Sequence, residues 1–358
     1  MRFSEVLEIK NGKNQRQVEN PNGKYPIYGS GGVMGHADDY LCEAETVVIG
    51  RKGSINNPIF VEEPFWNVDT AFGLVANKDL LLPKYLYYFC INFNFEALNT
   101  TVTIPSLTKA NLLQIEINIP SIAEQSKVVS KLDKISKLIE LRKQQLEELD
   151  QLVKSRFIEL FGDTVANPYG WKKDMLGIVC DVRDGTHDSP QYFETGYPLV
   201  TSKNVTGGKI DLTDCSLISE EDFMKINERS KVDFGDILMP MIGTVGKPVI
   251  VNIEPCFAIK NVSLIKFNQE SQVLNIYIKA LLQSDYFDDV VLSKVRGGTQ
   301  KFISLGDIRK LEILVPPLEL QNQFATFVEQ VDKSKLAIQK SLEKLEIFKK
   351  SLMQQYFG

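Results

Sequence analysis

The sequence predicts an α+β protein in which two similar mixed α/β globular domains are separated by two long helices. The helices are expected to form an intramolecular antiparallel coiled coil with pseudo-twofold symmetry. Two observations support this fold class: two long stretches carry heptad patterns, and the second half of the chain repeats the first. The predicted segments are a domain over 1–120, a helix over 121–162, a domain over 163–316 and a helix over 317–358.

The first long helix is predicted from the stretch that follows Pro120. It contains no glycine before Gly162, and Ser121 with Glu124 has the spacing of a capping box at the helix start. Its apolar residues recur at alternating steps of four and three, which is typical of a coiled-coil seam. That seam consists of Val128, Leu132, Ile135, Ile139, Leu146, Leu149, Val153 and Leu160. Some 40 residues at ~1.5 Å each give a helix of roughly 60 Å, which needs a partner to bury its apolar stripe.

The second helix is predicted from a stretch that matches the first at an offset of 196 residues, since Pro120 falls on Pro316 and Gln125 on Gln321. The corresponding seam is Phe324, Val328, Val331, Ile338, Leu342, Leu345, Leu352 and Tyr356. Cations interrupt the seams at different places in the two copies, namely at Arg142, Arg156, Lys335 and Lys349. Because polar seam residues specify partners, the two helices are predicted to pair with each other rather than with copies of themselves.

The globular segments repeat each other in the same order. Residues 176–185 match 3–12 at an offset of 173, and Tyr197–Leu199 matches Tyr25–Ile27 at 172. Residues 236–244 match 46–54, and 261–265 match 71–75, both at an offset of 190. Since the offset grows only between elements, the insertions are expected in loops, and the whole chain reads as one duplication with a period of about 196.

Composition excludes several classes of protein. No apolar run approaches the ~20 residues of a membrane span. The five cysteines are odd in number and contain no C-x-x-C pair, which favours reduced thiols in a cytoplasmic protein. The two histidines, His36 and His187, have no second ligand nearby, so a metal site is not expected. The net charge is −5, and both globular segments carry more acidic than basic residues, so charge alone does not predict nucleic-acid binding.

Two functional interpretations follow from this arrangement. A helix pair of roughly 60 Å exceeds the ~34 Å between DNA half-sites one turn apart, so it suits a rigid spacer between two non-identical readers of a split, asymmetric target. The alternative is a coiled-coil scaffold for protein interactions that has no DNA specificity.

The chain resembles the specificity subunit of type I restriction–modification enzymes. The resemblance rests on the helix entries IPSIAEQ…LDKI and VPPLELQNQF, on the helix end KSRFIELFGD, and on their duplication over the full chain. It implies two target recognition domains, each reading one half of a bipartite double-stranded DNA sequence. It also implies that the two helices act as spacer and as docking site for two modification subunits.

The resemblance further implies a non-catalytic chain that carries no cofactor of its own. S-adenosylmethionine is expected on the modification subunits, which methylate adenine. ATP-driven translocation and cleavage are expected from restriction subunits. No membrane partner is expected.

DNA contacts in the first domain are predicted in loops that follow strands. Arg51, Lys52 and Ser54 form a tight basic turn after a buried strand, and Arg or Lys can reach phosphates or the O6/N7 edge of guanine. The glycine-rich loop Gly29–Gly32 contains Ser30, and His36 follows this loop. The stretch 99–103 adds Thr101 and Thr103. The alternative for each is a solvated surface loop.

The second domain offers counterparts to these loops. Residues 294–301 combine cations with a glycine pair that allows close backbone approach, and Gln300 has the side chain that reads adenine. The predicted contacts of the second domain are Lys203, Asn204, Thr244, Lys247, Arg296, Thr299, Gln300 and Lys301. A mobile surface loop is again the alternative.

Other motifs favour structural roles. Tyr85, Tyr87, Tyr88 and Phe89 are predicted to pack a helix rather than stack on bases, and the aromatic residues at the two long helix ends are predicted to cap the helix pair. Residues 167–169, Asn-Pro-Tyr, are similar to the N-P-P-Y motif of adenine methyltransferases. They lack one proline and the upstream glycine-rich loop, so a stand-alone methyltransferase is a third and weaker hypothesis.

Overall fold

The computed structural model describes residues 1–99, 106–242, 248–268, 270–295 and 302–358. It divides into two compact units, Met1–Gln144 with Ile338–Gly358 and Gln145–Ala337. Each unit contains one globular domain, the start of one long helix and the end of the other. From the sequence, each long helix is predicted as a segment of its own, whereas packing assigns the two halves of each helix to different units.

The first unit is built on a four-stranded antiparallel sheet in the order β1-β7-β4-β5 and a three-stranded sheet in the order β3-β2-β6. A short 3-10 helix, Phe95–Leu98, follows the ten-residue helix Pro83–Asn92. The elements are α1 (Phe3–Val6), β1 (Leu7–Asn11), β2 (Tyr25–Gly29), β3 (Gly32–Ala37), β4 (Thr46–Gly50), β5 (Ile59–Val61), β6 (Trp66–Asn67), β7 (Ala71–Ala76), α2 (Pro83–Asn92), α3 (Lys109–Leu113) and the long α4 (Ile122–Phe161), which continues into the second unit.

The second unit repeats this plan with four-stranded sheet β15-β14-β17-β9 and three-stranded sheet β13-β10-β16, and adds the pairs β11-β12 and β18-β8. The strands are β8 (Lys172–Met175), β9 (Asp181–Asp184), β10 (Tyr197–Val200), β11 (Val205–Thr206), β12 (Lys209–Ile210), β13 (Ser216–Ile218), β14 (Ile237–Pro240), β15 (Val249–Ile250), β16 (Ala258–Ile259), β17 (Val262–Lys266) and β18 (Glu312–Val315). The helices are α5 (Leu176–Val179), α6 (Glu220–Ser230), α7 (Asn275–Leu281), α8 (Leu305–Arg309) and the long α9 (Leu318–Phe357), with a π-helical turn over Phe287–Val291 and a 3-10 turn over Leu292–Lys294.

Strand pairing confirms the duplication and corrects one offset. Val47 of β4 pairs with Leu74 of β7, and Ile237 of β14 pairs with Ile265 of β17. Ile237 lies 190 residues after Val47, but Ile265 lies 191 after Leu74. The sequence match of 261–265 to 71–75 at 190 was therefore wrong by one residue. In a strand, a shift of one residue moves every side chain to the opposite face, so only the pairing itself fixes this offset.

Burial along both long helices follows the predicted seams. Every predicted seam residue is buried or half-buried, and Leu132, Phe324 and Val331 are among the most buried. The observed helices, Ile122–Phe161 and Leu318–Phe357, end within one residue of the predicted segments. The capping box also forms, since the Glu124 backbone N–H donates to Ser121 Oγ at 3.3 Å and the Ser121 N–H donates to Glu124 Oε2 at 3.0 Å.

Within each unit the two helix segments run antiparallel. In the first unit, Lys131 Nζ lies 3.3 Å from Tyr356 Oη, and Lys143 Nζ lies 3.5 Å from Glu346 Oε1. From the first pair to the second, the residue number rises on α4 and falls on α9, so the two segments run in opposite directions. In the second unit, Lys335 Nζ lies 2.5 Å from Asp150 Oδ1, and the Arg156 guanidinium lies 5.9 Å from the centroid of the Phe327 ring. The predicted antiparallel pairing of the two helices is confirmed in each unit.

A buried glutamine joins each globular domain to the start of its long helix. Gln125 is fully buried; its Nε2 donates to the carbonyls of Leu80 at 2.8 Å and Pro120 at 2.9 Å, and its Oε1 accepts from the Leu82 N–H at 2.8 Å. The donating amide belongs to Leu82, the residue that precedes α2. Because the three bonds come from two separate chain segments, they fix the angle at which α4 leaves the domain.

The same joint recurs in the second unit. Gln321 is also fully buried; its Nε2 donates to Gln272 at 3.0 Å and Pro316 at 2.8 Å, and its Oε1 accepts from the Leu274 N–H at 2.8 Å. The P-x-x-x-Q spacing noted in the sequence is thus the signature of this joint.

Each domain also holds the end of the helix that begins in the other unit. In the second unit, the Phe161 ring packs 4.8 Å from the Tyr277 ring and 5.6 Å from the Phe324 ring, measured between centroids. In the first unit, the Phe357 ring packs 5.0 Å from the Tyr85 ring. The prediction that these aromatic residues cap the helix pair is confirmed, as is the packing role of Tyr85, Tyr88 and Phe89, which are at most 6% exposed.

Replacing either joint glutamine by leucine is expected to destabilise its unit. Leucine keeps most of the volume but leaves one N–H and two carbonyls without partners, at ~1 kcal/mol or more each, so the free energy of unfolding should fall by about 3 kcal/mol. Denaturant unfolding of the Gln125→Leu and Gln321→Leu variants measures this loss. Gln330→Leu, at an exposed position on α9, is the matched control and should change stability by less than about 0.5 kcal/mol. Equal effects at all three positions would contradict the joint.

Candidate nucleic-acid interface

The basic turn of the first domain begins where β4 ends, and its backbone requires glycine. A Cβ built on Gly50 would lie 2.3 Å from the Ser54 carbonyl oxygen, and Gly53 has φ +80°. The same Cβ would lie 3.0 Å from the Cβ of Ser30. The structure therefore brings Ser30 and the Arg51–Ser54 turn together, as two loops at one edge of the domain.

Backbone hydrogen bonds hold this turn while its cations stay exposed. The Arg51 N–H donates to the Thr70 carbonyl at 2.8 Å, and the Leu107 N–H donates to the Arg51 carbonyl at 2.9 Å. The Arg51 guanidinium lies 5.7 Å from the centroid of the Phe72 ring. Arg51, Lys52 and Ser54 are all exposed, and within the described ranges neither cation forms an ion pair. Two cations on a fixed turn are suited to phosphate or guanine contacts.

Thr101 and Thr103 lie outside the described residues, but the residues that flank their segment adjoin the same turn. Ser106 pairs with Lys52 as an isolated bridge, and the Ser106 N–H donates to Asn99 Oδ1 at 3.0 Å. Ser106 therefore lies beside the basic turn and is bound to Asn99, at the other end of the segment.

Among the predicted contacts of the first domain that the structure describes, His36 does not join this group. It is exposed on β3, where it pairs with Pro26, whereas Ser30 follows the opposite end of β2. Four residues at ~3.3 Å each put these positions roughly 13 Å apart along the strand. The sequence alone placed both in one loop because it did not predict β3.

In the second domain, Thr244, Lys247, Arg296, Thr299, Gln300 and Lys301 all lie outside the described residues. The residues that flank their segments are paired with each other. Ile242 forms an antiparallel bridge with Phe302, and the Ile303 N–H donates to the Met241 carbonyl at 2.9 Å. This pairing repeats that of Lys52 with Ser106 in the first domain.

Lys203 and Asn204 have different surroundings. Lys203 is exposed, as predicted for a DNA contact. Asn204 is only 7% exposed, and its Oδ1 accepts from the Thr201 N–H at 3.0 Å and from Thr201 Oγ1 at 2.9 Å. Its side chain closes a turn, so the structure does not place Asn204 where it would contact DNA, contrary to the prediction from the sequence.

A polar network beside these loops was missed in the sequence. His187 Nε2 lies 2.9 Å from Asp184 Oδ2, and His187 Nδ1 lies 2.8 Å from Asn261 Oδ1. Arg229 binds the other oxygen of Asp184, and Lys260 Nζ donates to Ser189 Oγ at 2.5 Å. The hydrogen bonds that His187 makes to Asn261 and to Asp184 raise its pKa. From the sequence, His187 was considered only as a metal ligand, although His187 closely follows Asp184, the last residue of β9.

The described residues contain no group of three or more His, Cys, Asp or Glu side chains arranged to hold a metal ion. All five cysteines are free thiols, and burial raises the pKa of Cys42 and of Cys180 to about 12, so both stay protonated near neutral pH. Asn167, in the stretch similar to a methyltransferase motif, uses both amide atoms to bind the Trp171 backbone, at 2.8 Å and 2.9 Å. That stretch therefore forms a turn. No helix within the described ranges is long and apolar enough to cross a bilayer.

Known proteins share both the sequence pattern and the fold. The putative type I restriction enzyme specificity subunit S.HindORF215P of Haemophilus influenzae is 26% identical over 350 residues, which cover 93% of this chain and 88% of that protein. The type I restriction enzyme MjaIX specificity subunit of Methanocaldococcus jannaschii is 26% identical over 338 residues, which cover 85% and 73%.

Among solved structures, the S subunit of a type I restriction–modification system from M. genitalium matches with a TM-score of 0.65 at 18% identity, over 100% of this chain and 95% of that one. A chain from a study of complex assembly and conformational transition of the type I R-M system matches with a TM-score of 0.60. These two likenesses support the fold.

The family model described as type I restriction modification DNA specificity domain matches residues 1–151 and 168–347, which together include most of both units. The match covers both copies of the duplication and confirms the resemblance inferred from the helix entries and helix ends. The chain belongs to the type I restriction–modification DNA specificity family.

Proposed function

We propose that this chain is the DNA sequence-specificity subunit of a type I restriction–modification system and reads a bipartite, asymmetric target with one domain per half-site. The observation that carries the proposal is the duplication itself. Each unit repeats the same sheet order, the same glutamine joint and an antiparallel bridge next to the candidate segments, Lys52 with Ser106 and Ile242 with Phe302. Two copies of one reader suit a target with two halves.

The two readers are unequal, which supports an asymmetric target. The second unit adds the β11-β12 hairpin and the helix α6, for which the described part of the first unit has no equivalent. The first reader contains the pair Arg51 and Lys52 on its turn, and the second contains the network around His187. Different side chains on the same scaffold are expected to recognise different bases.

The catalytic steps are assigned to partner proteins. Two modification subunits are proposed to bring S-adenosylmethionine and to methylate adenine, and restriction subunits to bring ATP-driven translocation and cleavage, in the cytoplasm. This chain is proposed to select the sequence and to hold its partners without catalysing a reaction. Large apolar side chains on the long helices support docking, since Leu138, Ile347 and Phe348 are 46%, 70% and 53% exposed.

A selection experiment tests the proposal. The full chain, assembled with the modification subunits of its host, is offered random DNA duplexes at fixed salt, and the retained duplexes are sequenced. We expect two short defined sequences separated by an undefined spacer of constant length, and an affinity that falls steeply as salt rises. Retention without any sequence preference would contradict the proposal and favour the coiled-coil scaffold. Methyl transfer by the chain alone would favour a stand-alone methyltransferase.

The basic turn of the first domain provides a second prediction. Replacing Arg51 and Lys52 by alanine is expected to weaken DNA binding. It should also make the fall of log affinity with log salt shallower, reducing the magnitude of the slope by up to about 2, because two phosphate contacts are lost. Binding measured from low to moderate salt gives the slope. Lys24→Ala is the matched control, because Lys24 is an exposed cation beside the opposite end of β2. The same slope for the double variant and the wild type would show that the turn does not touch phosphates.

A further inference from the structure

His187 in the second unit is placed between two hydrogen-bond acceptors. Its Nε2 faces Asp184 Oδ2 at 2.9 Å and its Nδ1 faces Asn261 Oδ1 at 2.8 Å. A carboxylate and an amide oxygen can only accept, so both ring nitrogens donate and the imidazole is doubly protonated in this arrangement. Asn261 thereby turns its Nδ2 donor away from the ring, and this atom has no hydrogen-bond partner among the described residues.

The backbone around this pair is fixed by close contacts. The Gly185 N–H donates to the Val262 carbonyl at 3.0 Å, and a Cβ on Gly185 would lie 2.2 Å from the Ile259 carbonyl oxygen. The Asn261 N–H donates to the Thr186 carbonyl at 3.2 Å. Asn261 itself has φ +55°, a conformation that asparagine tolerates better than most residues. The pair is therefore held on rigid elements, as a recognition site requires.

Asn261 lies at the edge of the sheet where the candidate DNA segments begin. It directly precedes β17, whose first residue, Val262, pairs with Pro240 at the end of β14. Two residues after Pro240, Ile242 pairs with Phe302 next to the predicted contacts. The neighbouring Lys260 N–H donates to the Val200 carbonyl at 2.9 Å, three residues before the exposed Lys203. The exposed cation Lys203 and the half-exposed Lys260 thus lie near an oriented amide on one edge.

We propose that Asn261 reads a base edge in the second half-site, and that His187 is the positioning residue that decides which amide atom faces the DNA. The proposal rests on the proposed DNA specificity of the chain. With Nδ2 outward, Asn261 donates to an acceptor such as guanine O6 or N7, adenine N7 or thymine O4. With Oδ1 outward, it accepts from adenine N6 or cytosine N4.

The proton on His187 selects between these two states. Asp184 can only accept, so a neutral imidazole keeps its remaining proton on Nε2 and presents a bare Nδ1 to Asn261. The amide then turns so that Nδ2 donates to the ring and Oδ1 faces outward. The hydrogen bonds that His187 makes to Asn261 and Asp184 raise its pKa, while the charge of the nearby Arg229 lowers it. The other charged group beside the network, Lys260, is bound to Ser189.

The first domain provides an internal control because it lacks this network. At the offsets fixed by strand pairing, Asp184 corresponds to Asn11, His187 to Asn14 and Asn261 to Thr70. Thr70 instead accepts backbone hydrogen bonds from Arg51 and Lys52 through its carbonyl. A change in the Asn261 pair should therefore alter the second half-site and leave the first unchanged.

The test is duplex selection with the full chain and its modification subunits, at constant salt, near pH 6 and near pH 9, because the pKa of His187 is raised above the ordinary histidine value. Asn261→Gly preserves the φ of +55° and removes the amide. It should reduce discrimination at one base pair of the second half-site by about tenfold. In the wild type, preference at that base pair should move from acceptor-bearing edges at low pH to donor-bearing edges at high pH. His187→Ala should abolish that movement.

Two further variants separate a recognition role from a structural one. Asn261→Asp presents only acceptors and should favour adenine N6 or cytosine N4 at both pH values. Asn252→Ala is the control, because Asn252 is exposed beyond β15, near the opposite end of the same sheet, and should leave both half-sites unchanged. Thermal unfolding should confirm that all four variants fold.

An unchanged second half-site in Asn261→Gly, or an unchanged pH response in His187→Ala, would overturn this inference while the bipartite specificity of the wild type survives. Absence of any bipartite preference in the wild type would instead overturn the proposed function and, with it, this inference.

Discussion

The structure depends on a polar side chain buried at each junction between a globular domain and a long helix. Gln125 and Gln321 are fully buried, and each satisfies three backbone groups. A buried amide is costly unless all its partners are present, so the joint forms only when helix start and domain are in their native arrangement. Apolar contacts alone would tolerate sliding, whereas three directional bonds do not. Each reader is thereby tied to its helix in a single orientation.

The helix ends complete this arrangement. Phe161 and Phe357 close the two long helices against Tyr277 and Tyr85, which belong to the same short helices that the glutamines brace. Each unit therefore needs one segment from each long helix, and the core of the first unit is completed by the C-terminal end of the chain. Lys335, a cation within the seam of α9, places its charged group beside a carboxylate of α4, since its Nζ lies 2.5 Å from Asp150 Oδ1. Such residues favour one partner and one alignment of the helices.

The sequence predicted the helices almost residue by residue, because a heptad pattern depends only on local spacing and each seam position reports burial directly. The positions of the strands were harder to predict from the sequence. The offset of β17 was wrong by one residue because strand register is set by pairing with distant segments. Asn204 was predicted as a DNA contact and is buried, since a turn residue and a contact residue have the same composition. The network around His187 was missed because Asp184 and Asn261 are 77 residues apart in the sequence, and only strand pairing brings them together.

Hydrogen–deuterium exchange at the two joints tests the central claim most directly. The Leu82 and Leu274 amides donate to the buried glutamines, so they should exchange only when the whole unit opens, as slowly as the Leu74 amide of the central strand β7. In Gln125→Leu the Leu82 amide should lose this protection while Leu274 keeps it, and Gln321→Leu should do the reverse. Exchange of both amides in the wild type as fast as at an exposed helix start, such as the Ile122 amide, would contradict the account.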